Sequence, residues 1–205
     1  MVGGSGMFID AVCIGLDDIP ANRELRDELN EIVKTEGLDF LLTELKNKDP
    51  EFYEKVDRNN PVRIIRAIEA IRLSGQTFSK MRNAATKIHS FNINRFIIDH
   101  PRDELYERIN KRVDLMIEAG LVEEVKSVFL LHHLNALRTV GYSELFAYLK
   151  NEISLETAID LIKQNSRRYA KRQLTWFRKH TDAVWIPFNT PEQMLELILK
   201  KLNIH

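Results

Sequence analysis

The sequence predicts an α/β protein that is mostly helical, on three observations. Apolar residues recur at three- and four-residue spacing through most of the chain, which is the pattern of helices with one buried face. Asp49-Pro50, Asn60-Pro61 and Thr190-Pro191 each set a capping side chain ahead of a proline suited to the first helical position. Only two stretches, NINRFIID at Asn92–Asp99 and AVWIP at Ala183–Pro187, are apolar and β-branched enough to read as strands.

Taken in order, VGGSG at Val2–Gly6 reads as the end of a buried strand running into a tight glycine turn. Phe8–Ile14 is a short apolar helix ending near Gly15, and Leu16–Ala21 is a loop. From Asn22 the apolar residues Leu25, Leu29, Ile32 and Val33 keep helical spacing until Gly37. A second run, with Phe40, Leu41, Leu42 and Leu45, extends from Leu38 to Lys46. Asp49-Pro50 opens a short helix to about Val56. Asn60-Pro61 opens a longer one to about Ser74, stopped by Gly75. Residues 22–74 thus read as a helical subdomain set between 1–21 and 75–205. After the first strand, Pro101 opens a strong helix to Ala119, closed by Gly120, and Leu121–Phe129 is helical again. A loop containing HHLNALRTVGYS leads to a short helix at Glu144–Lys150. Ser154 caps a long helix from Leu155 to about His180, and Thr190-Pro191-Glu192-Gln193 is a capping box for the last helix.

Composition narrows the function. At about 150 residues per domain, 205 residues make one domain or two small ones. A hydrophobic fraction of 44% with zero net charge excludes a disordered chain. A single cysteine, Cys13, excludes a disulfide framework and a cysteine zinc site. No apolar run is long enough to span a bilayer, and MVGGSGMFID has no basic region of the kind that begins a signal peptide. These features point to a reduced, cytoplasmic compartment. The zero net charge conceals an asymmetry: residues 1–60 hold 7 Lys/Arg against 14 Asp/Glu, and residues 61–205 hold 23 against 16.

The strongest local signal is SRRYAKRQLTWFRKH at Ser166–His180. Seven Lys/Arg fall between Lys163 and Lys179 with no acid among them. On a helix, Arg168 and Arg172 stack one turn apart, as do Arg167 and Lys171, and stacked like charges repel. Phosphate backbones would offset that repulsion, with Tyr169 or Trp176 adding stacking; the alternative is a solvated face over Ala170, Leu174 and Phe177. Arg63 and Arg66 lie in the first turns after Asn60-Pro61, where free N–H groups and two guanidiniums would make an anion site. The alternative there is pairing with Asp57 or Glu69. Arg112 falls in register with Leu105, Ile109 and Met116, so its charge faces an apolar stripe. Either a buried acidic partner or a bound carboxylate or diphosphate would balance it. VGGSG permits close approach to a phosphate but is not a P-loop, and Gly-Lys-Ser/Thr occurs nowhere in the chain. His132 and His133 are adjacent, which is poor spacing for a shared metal, and neither HExxH nor a nucleophile elbow is present.

Five blocks, VGGSGMFIDA, NNPVRIIRAIE, LYERINKRVDLMIEAGLVEEV, LRTVGYSELFAYL and SRRYAKRQLTWFR, occur in this order. Together they closely resemble the tRNA dimethylallyltransferases, also called tRNA isopentenyltransferases, from Val2 to about Trp185. The resemblance implies a P-loop-kinase-like parallel-sheet core (here 1–21 and 75–205) with a helical insertion (22–74) that grips a tRNA anticodon stem-loop. It implies transfer of a dimethylallyl group from dimethylallyl diphosphate to N6 of the adenosine 3′ of the anticodon, assisted by Mg²⁺. No membrane and no obligate protein partner are implied.

Carried over residue by residue, the resemblance gives Arg112 to the diphosphate, together with Gly3 and Gly4. It sets Ser5 where the family usually has a catalytic-site threonine. It assigns tRNA contact to Arg26, to Val62, Arg63, Ile64, Ile65 and Arg66, and to Arg138, Thr139, Val140, Gly141, Tyr142 and Ser143. The same role falls to Ser166, Arg167, Arg168, Tyr169, Ala170, Lys171, Arg172 and Gln173 on the basic helix. At Ser143 the family usually has a longer polar or basic residue. The family's P-loop and its aspartate base are not among these 205 residues, so the resemblance implies the C-terminal two-thirds of such an enzyme, inactive by itself. Two alternatives stay open: a stand-alone RNA-binding module without catalysis, and a piece of an ordinary nucleotide kinase, in which SRRYAKRQLTWFR has no role.

Overall fold

The computed structural model describes residues 1–82 and 90–203. Contacts divide the chain into two compact units, one of Met7–Phe91 and one of Met1–Gly6 with the residues from Asn92 onward.

The first unit is helical: α1 (Gly6–Cys13), α2 (Arg23–Thr35), α3 (Leu38–Lys48), α4 (Pro50–Lys55), α5 (Pro61–Ser74) and α6 (Phe78–Met81). Asn22, Asp49 and Asn60 cap α2, α4 and α5 by accepting a backbone N–H two or three residues into the helix. α5 is the central element. Ile64, Ala67, Ile68 and Ala70 are fully buried and pack against Leu29 of α2 and Leu41 and Leu45 of α3. Each such Leu or Ile contributes about 1.5–3 kcal/mol by leaving water.

Three carboxylates inside this unit tie its elements together. Asp49, besides capping α4, accepts from both the backbone N–H and the hydroxyl of Ser79 at 2.8 Å, which anchors the four-residue α6 that periodicity alone does not reveal. Glu44 takes the Arg72 guanidinium in two bonds of 3.1 and 2.7 Å. Arg72 holds the Glu44 carboxyl below its ordinary range, against the opposing push of burial. Glu69, with its side chain fully buried, accepts from the Asn22 N–H at 2.8 Å and from Arg26 and Arg66 at 2.9 Å.

The second unit contains β1 (Phe96–Asp99), α7 (Arg102–Glu118), α8 (Leu121–Ser127), α9 (Tyr142–Leu149), α10 (Leu155–Phe177), β2 (Val184–Pro187) and α11 (Pro191–Lys201). Single 3-10 turns at Phe129–Leu131 and Asn135–Leu137 break the 130–143 loop. β1 and β2 pair in parallel, Phe96 opposite Val184 through Asp99 opposite Pro187, so their carboxyl ends lie together. The helical core joins Val113 of α7, Leu121 and Val125 of α8, Leu145 and Phe146 of α9, and Ala158 and Ile162 of α10.

Two expectations fail. Residues 1–5 form no strand, and Val2 is fully exposed; a strand end needs a neighbour to bond its backbone, and none pairs here. The capping box at Thr190 is only half formed: Thr190 accepts from the Gln193 N–H at 3.4 Å, while the Gln193 side chain meets the Thr190 hydroxyl and not the backbone.

Candidate functional site

α10 is the longest helix, with 23 residues, and it organises the candidate site. Its N-terminal half buries Ala158 and Ile162 against α7 and α9. Beyond Asn165 its faces separate. Ala170 is buried, Ser166 and Arg167 are half-buried, and Arg168, Tyr169, Lys171 and Arg172 are exposed. Arg167 donates to Asn110 of α7 at 2.6 Å, and Lys163 pairs with Asp114 at 2.6 Å, so these two cations fasten α10 to α7. Arg168, Lys171 and Arg172 have no acidic partner among the described residues. Arg172 lies 5.7 Å from the centre of the Tyr169 ring, which is 46% exposed, leaving a cation beside an open aromatic face. The composition of the helix therefore resolves into two structural cations and an unpaired, outward-facing set.

The glycine turn packs on this same helix. Gln173 donates from its side-chain nitrogen to the Gly4 carbonyl at 2.6 Å. A Cβ on Gly6 would come within 2.2 Å of the Trp176 ring, so only glycine fits the approach. Ser5, half-buried between these two anchors, is thereby fixed beside α10. Gly3 is open, with nothing near it.

The 138–143 turn is tied to α10 by residues that the sequence patterns do not single out. Glu144, buried at 8% exposure, accepts from the Gly141 N–H at 2.8 Å and from the Asn165 amide at 2.6 Å. The Asn165 carbonyl in turn accepts from Arg168 at 3.3 Å. Gly141 sits at φ 101°, a conformation that side chains rarely adopt. Arg138, Thr139 and Ser143 are exposed on this turn, Val140 and Tyr142 are half-buried, and the Tyr142 hydroxyl bonds Glu124, which raises its pKa. The only hint in the sequence is that Glu144 follows Gly141 by three residues, which is capping-box spacing. Glu144→Ala should leave the Gly141 N–H and the Asn165 amide without buried partners and destabilise this unit by about 2 kcal/mol. Amide hydrogen exchange at Gly141 and Tyr142 would rise with it, whereas unchanged exchange would mean that the turn holds without Glu144.

Arg112 departs from its expected setting. It is exposed, and Val113, 3% exposed, carries the buried face with Met116 and Ile117 beside it. A step of one residue rotates a helix by roughly 100°, and packing against α9 and α10 selects the Val113 side. Arg112 has no acidic partner among the described residues, so the buried ion pair left open by its spacing does not form. An exposed, unpaired guanidinium on α7 is chemically suited to an oxyanion.

The other sequence-derived contacts lie in the helical unit. Val62 and Arg63 are exposed at the start of α5, whereas Ile64 and Ile65 belong to its core and present no side chain to a partner. Arg66 turns inward, donating to the Ile19 and Pro20 carbonyls at 2.8 and 2.7 Å and pairing with Glu69. Of the two readings of the Arg63/Arg66 pair, Arg66 follows the ion-paired one, and Arg63 has no acidic partner among the described residues. Arg26 also spends its guanidinium on Glu69, with 45% of its side chain exposed.

The family model described as IPP transferase matches residues 1–180. The chain belongs to the IPP transferase family. Among curated relatives, tRNA dimethylallyltransferase 1 of Phocaeicola vulgatus is 45% identical over 199 residues, covering 97% of this chain and 65% of its own length. A crystal structure described as the full-length tRNA isopentenylpyrophosphate transferase of Bacillus halodurans is similar with 35% identity and a TM-score of 0.58, over 97% of this chain and 64% of that one. A eukaryotic dimethylallyltransferase structure, 20% identical with a TM-score of 0.75, shares the fold. The chain therefore spans about 65% of the length of the Phocaeicola relative. Among the described residues of this IPP transferase family member, no group of three or more His, Cys, Asp or Glu could hold a metal ion. No helix among them is long and apolar enough to cross a membrane.

Proposed function

We propose that this chain is part of a cytoplasmic enzyme that transfers a dimethylallyl group from dimethylallyl diphosphate to N6 of the adenosine 3′ of a tRNA anticodon. The observation that carries the reading is the outward face of α10, where Arg168, Lys171 and Arg172 stand without acidic partners among the described residues, in a chain of the IPP transferase family. Phosphates of an RNA stem are the counter-charges such a face takes. RNA loops release a base from the stack at modest cost, and exposed rings such as Tyr169 offer a surface for stacking.

In the proposed reaction, the N6 lone pair forms a bond to the allylic carbon as the bond from that carbon to the bridging oxygen breaks. The electron pair leaves with the diphosphate, and N6 gives up a proton. Arg112, unpaired on α7, would hold the charge that grows on the leaving oxygens. Gly3, Gly4 and the Ser5 hydroxyl would line the approach, kept in place by Gln173 and Trp176. Mg²⁺, when bound, neutralises diphosphate charge. The described residues do not form a carboxylate cluster for it, and the roles given to Arg112 and Ser5 do not depend on it.

The complete protein, incubated with dimethylallyl diphosphate, Mg²⁺ and tRNA, should give prenylated adenosine by mass spectrometry of the digested RNA. The 205 residues alone should give none, because no Gly-Lys-Ser/Thr loop occurs among them. Absence of product from the complete protein would overturn the reading. Turnover by the 205 residues would overturn the assignment of essential groups outside them.

A further inference from the structure

At the carboxyl ends of β1 and β2, a cavity of about 480 Å³ opens between the start of α7 and the last turns of α10. Its volume falls in the range of small-ligand sites. Arg102 of α7, Lys171 of α10 and Arg178 just after it line this cavity, and none of the three has an acidic partner among the described residues. Elsewhere in the unit, cations of similar placement are paired, Lys163 with Asp114 and Arg95 with Asp182. Three positive groups converging on one space repel each other unless an anion sits among them.

Two further observations point the same way. α7 has 17 residues and begins after Pro101, which supplies no side-chain cap, so its first-turn N–H groups are open to an anion, although Asp103 and Glu104 in that turn share the positive end of its dipole. His100, on the same wall, has only 10% of its side chain exposed. Its ring stacks on Phe188 with centroids 4.0 Å apart, its Nδ1 lies 3.3 Å from the Pro101 carbonyl, and its Nε2 is buried without a hydrogen-bond partner. A buried ring nitrogen beside a polar cavity calls for a partner, and the Glu104 carboxylate lies 3.9 Å from the other ring nitrogen. Asp99 is the one acidic wall residue and opposes an anion.

We infer that this cavity is a phosphate-binding pocket, built by Arg102, Lys171, Arg178, His100 and the start of α7, that takes a phosphoryl group of a small molecule or of an RNA backbone. The inference shares Lys171 with the RNA-facing set proposed on α10 and otherwise rests on side chains outside that set, so Arg102→Ala and Arg178→Ala test it separately from the proposed function. Aromatic groups at the cavity wall, Tyr106 and Phe188, leave room for a ring carried by the phosphate.

The test is calorimetric titration of the chain with inorganic phosphate at constant ionic strength in chloride. Saturable binding is expected. Arg102→Ala and Arg178→Ala, both at exposed positions, should each weaken it about tenfold. His100→Phe should also weaken it while keeping the stack on Phe188, and Asp99→Asn should tighten it. Lys163→Ala, whose ammonium is paired outside the cavity, should leave it unchanged. Circular dichroism of each variant separates loss of binding from loss of fold. Adding an anticodon stem-loop or adenosine monophosphate then names the source: displacement of phosphate by RNA marks a backbone site, and displacement by the mononucleotide alone marks a small-molecule site. Absence of saturable binding, or equal loss in Lys163→Ala and Arg178→Ala, would overturn the inference.

Discussion

Glu69→Ala is expected to destabilise the Met7–Phe91 unit by about 3 kcal/mol, the scale of removing one side of a buried charge pair when the other side stays partly hydrated. The side chain is fully buried in the middle of α5 and holds three donors, the Asn22 N–H and the guanidiniums of Arg26 and Arg66. Removing it uncaps the start of α2 from α5 and strands two cations. Glu69→Gln keeps an acceptor for Asn22 but no charge for the arginines, and it should lose about half as much. Burial pushes the Glu69 carboxyl up, but the bonds from Asn22, Arg66 and Arg26 outweigh it and hold the carboxyl below its ordinary value of 4.5. A carboxyl depressed in the folded state contributes stability that is fully present above that value and is lost as pH falls below it. Stability of this unit should therefore be level from pH 7 to about 5 and then fall. The fall should be shallower in Glu69→Gln but not absent, because Glu44 is depressed in the same direction by Arg72. Chemical denaturation followed by hydrogen exchange at α5 amides reads this unit separately from the other. An acid slope unchanged in Glu69→Gln would remove Glu69 from the account.

Replacing Arg168, Lys171 and Arg172 together by alanine should weaken binding of an anticodon stem-loop about 100-fold at low salt, at roughly 1 kcal/mol for each exposed cation–phosphate contact. The helix itself should survive. Its buried side is made of Ala158, Ile162 and Ala170, its fastening to α7 uses Lys163 and Arg167, and alanine is the best helix former. The control, Lys163→Ala, removes one positive charge from the same helix and should leave RNA affinity within about twofold while loosening α10 from α7. Equal losses per charge removed in the two variants would mean that net charge, and not the outward face, governs binding.

What the sequence made legible was local. Asn60-Pro61 and Asp49-Pro50 start helices where a capping side chain and a proline both favour it, and β1 and β2 fall inside the two β-branched runs. The order of helices needed only spacing and caps. What spacing could not give was which of two overlapping stripes would be buried. Leu105, Ile109, Arg112 and Met116 satisfy helical spacing, but so does a set centred on Val113, and packing against α9 and α10 decides between them. Long-range partners were equally hidden. Arg26 reads as a free cation until Glu69, 43 residues on, is set beside it, whereas the Arg66–Glu69 pair, three residues apart, is one of the two readings that the spacing leaves open. Asp49 reads as a cap, yet it also holds Ser79. Glu144 and Asn165 carry no motif of their own, although together they hold the 138–143 turn against α10. For the candidate site, the blocks fall on α5, α7, α9 and α10, and only the folded chain separates cations that fasten helices from cations that face outward.

An RNA-binding face on α10 makes affinity depend on salt, because each cation–phosphate contact releases counterions. Affinity of the chain for an anticodon stem-loop should be measured by fluorescence anisotropy between about 50 and 200 mM salt, the range over which counterion release is read. With three phosphate contacts from Arg168, Lys171 and Arg172, log affinity should fall against log salt with a slope of about −2 to −3. A slope near zero, or binding too weak to saturate at the lowest salt, would return α10 to the role of a solvated face.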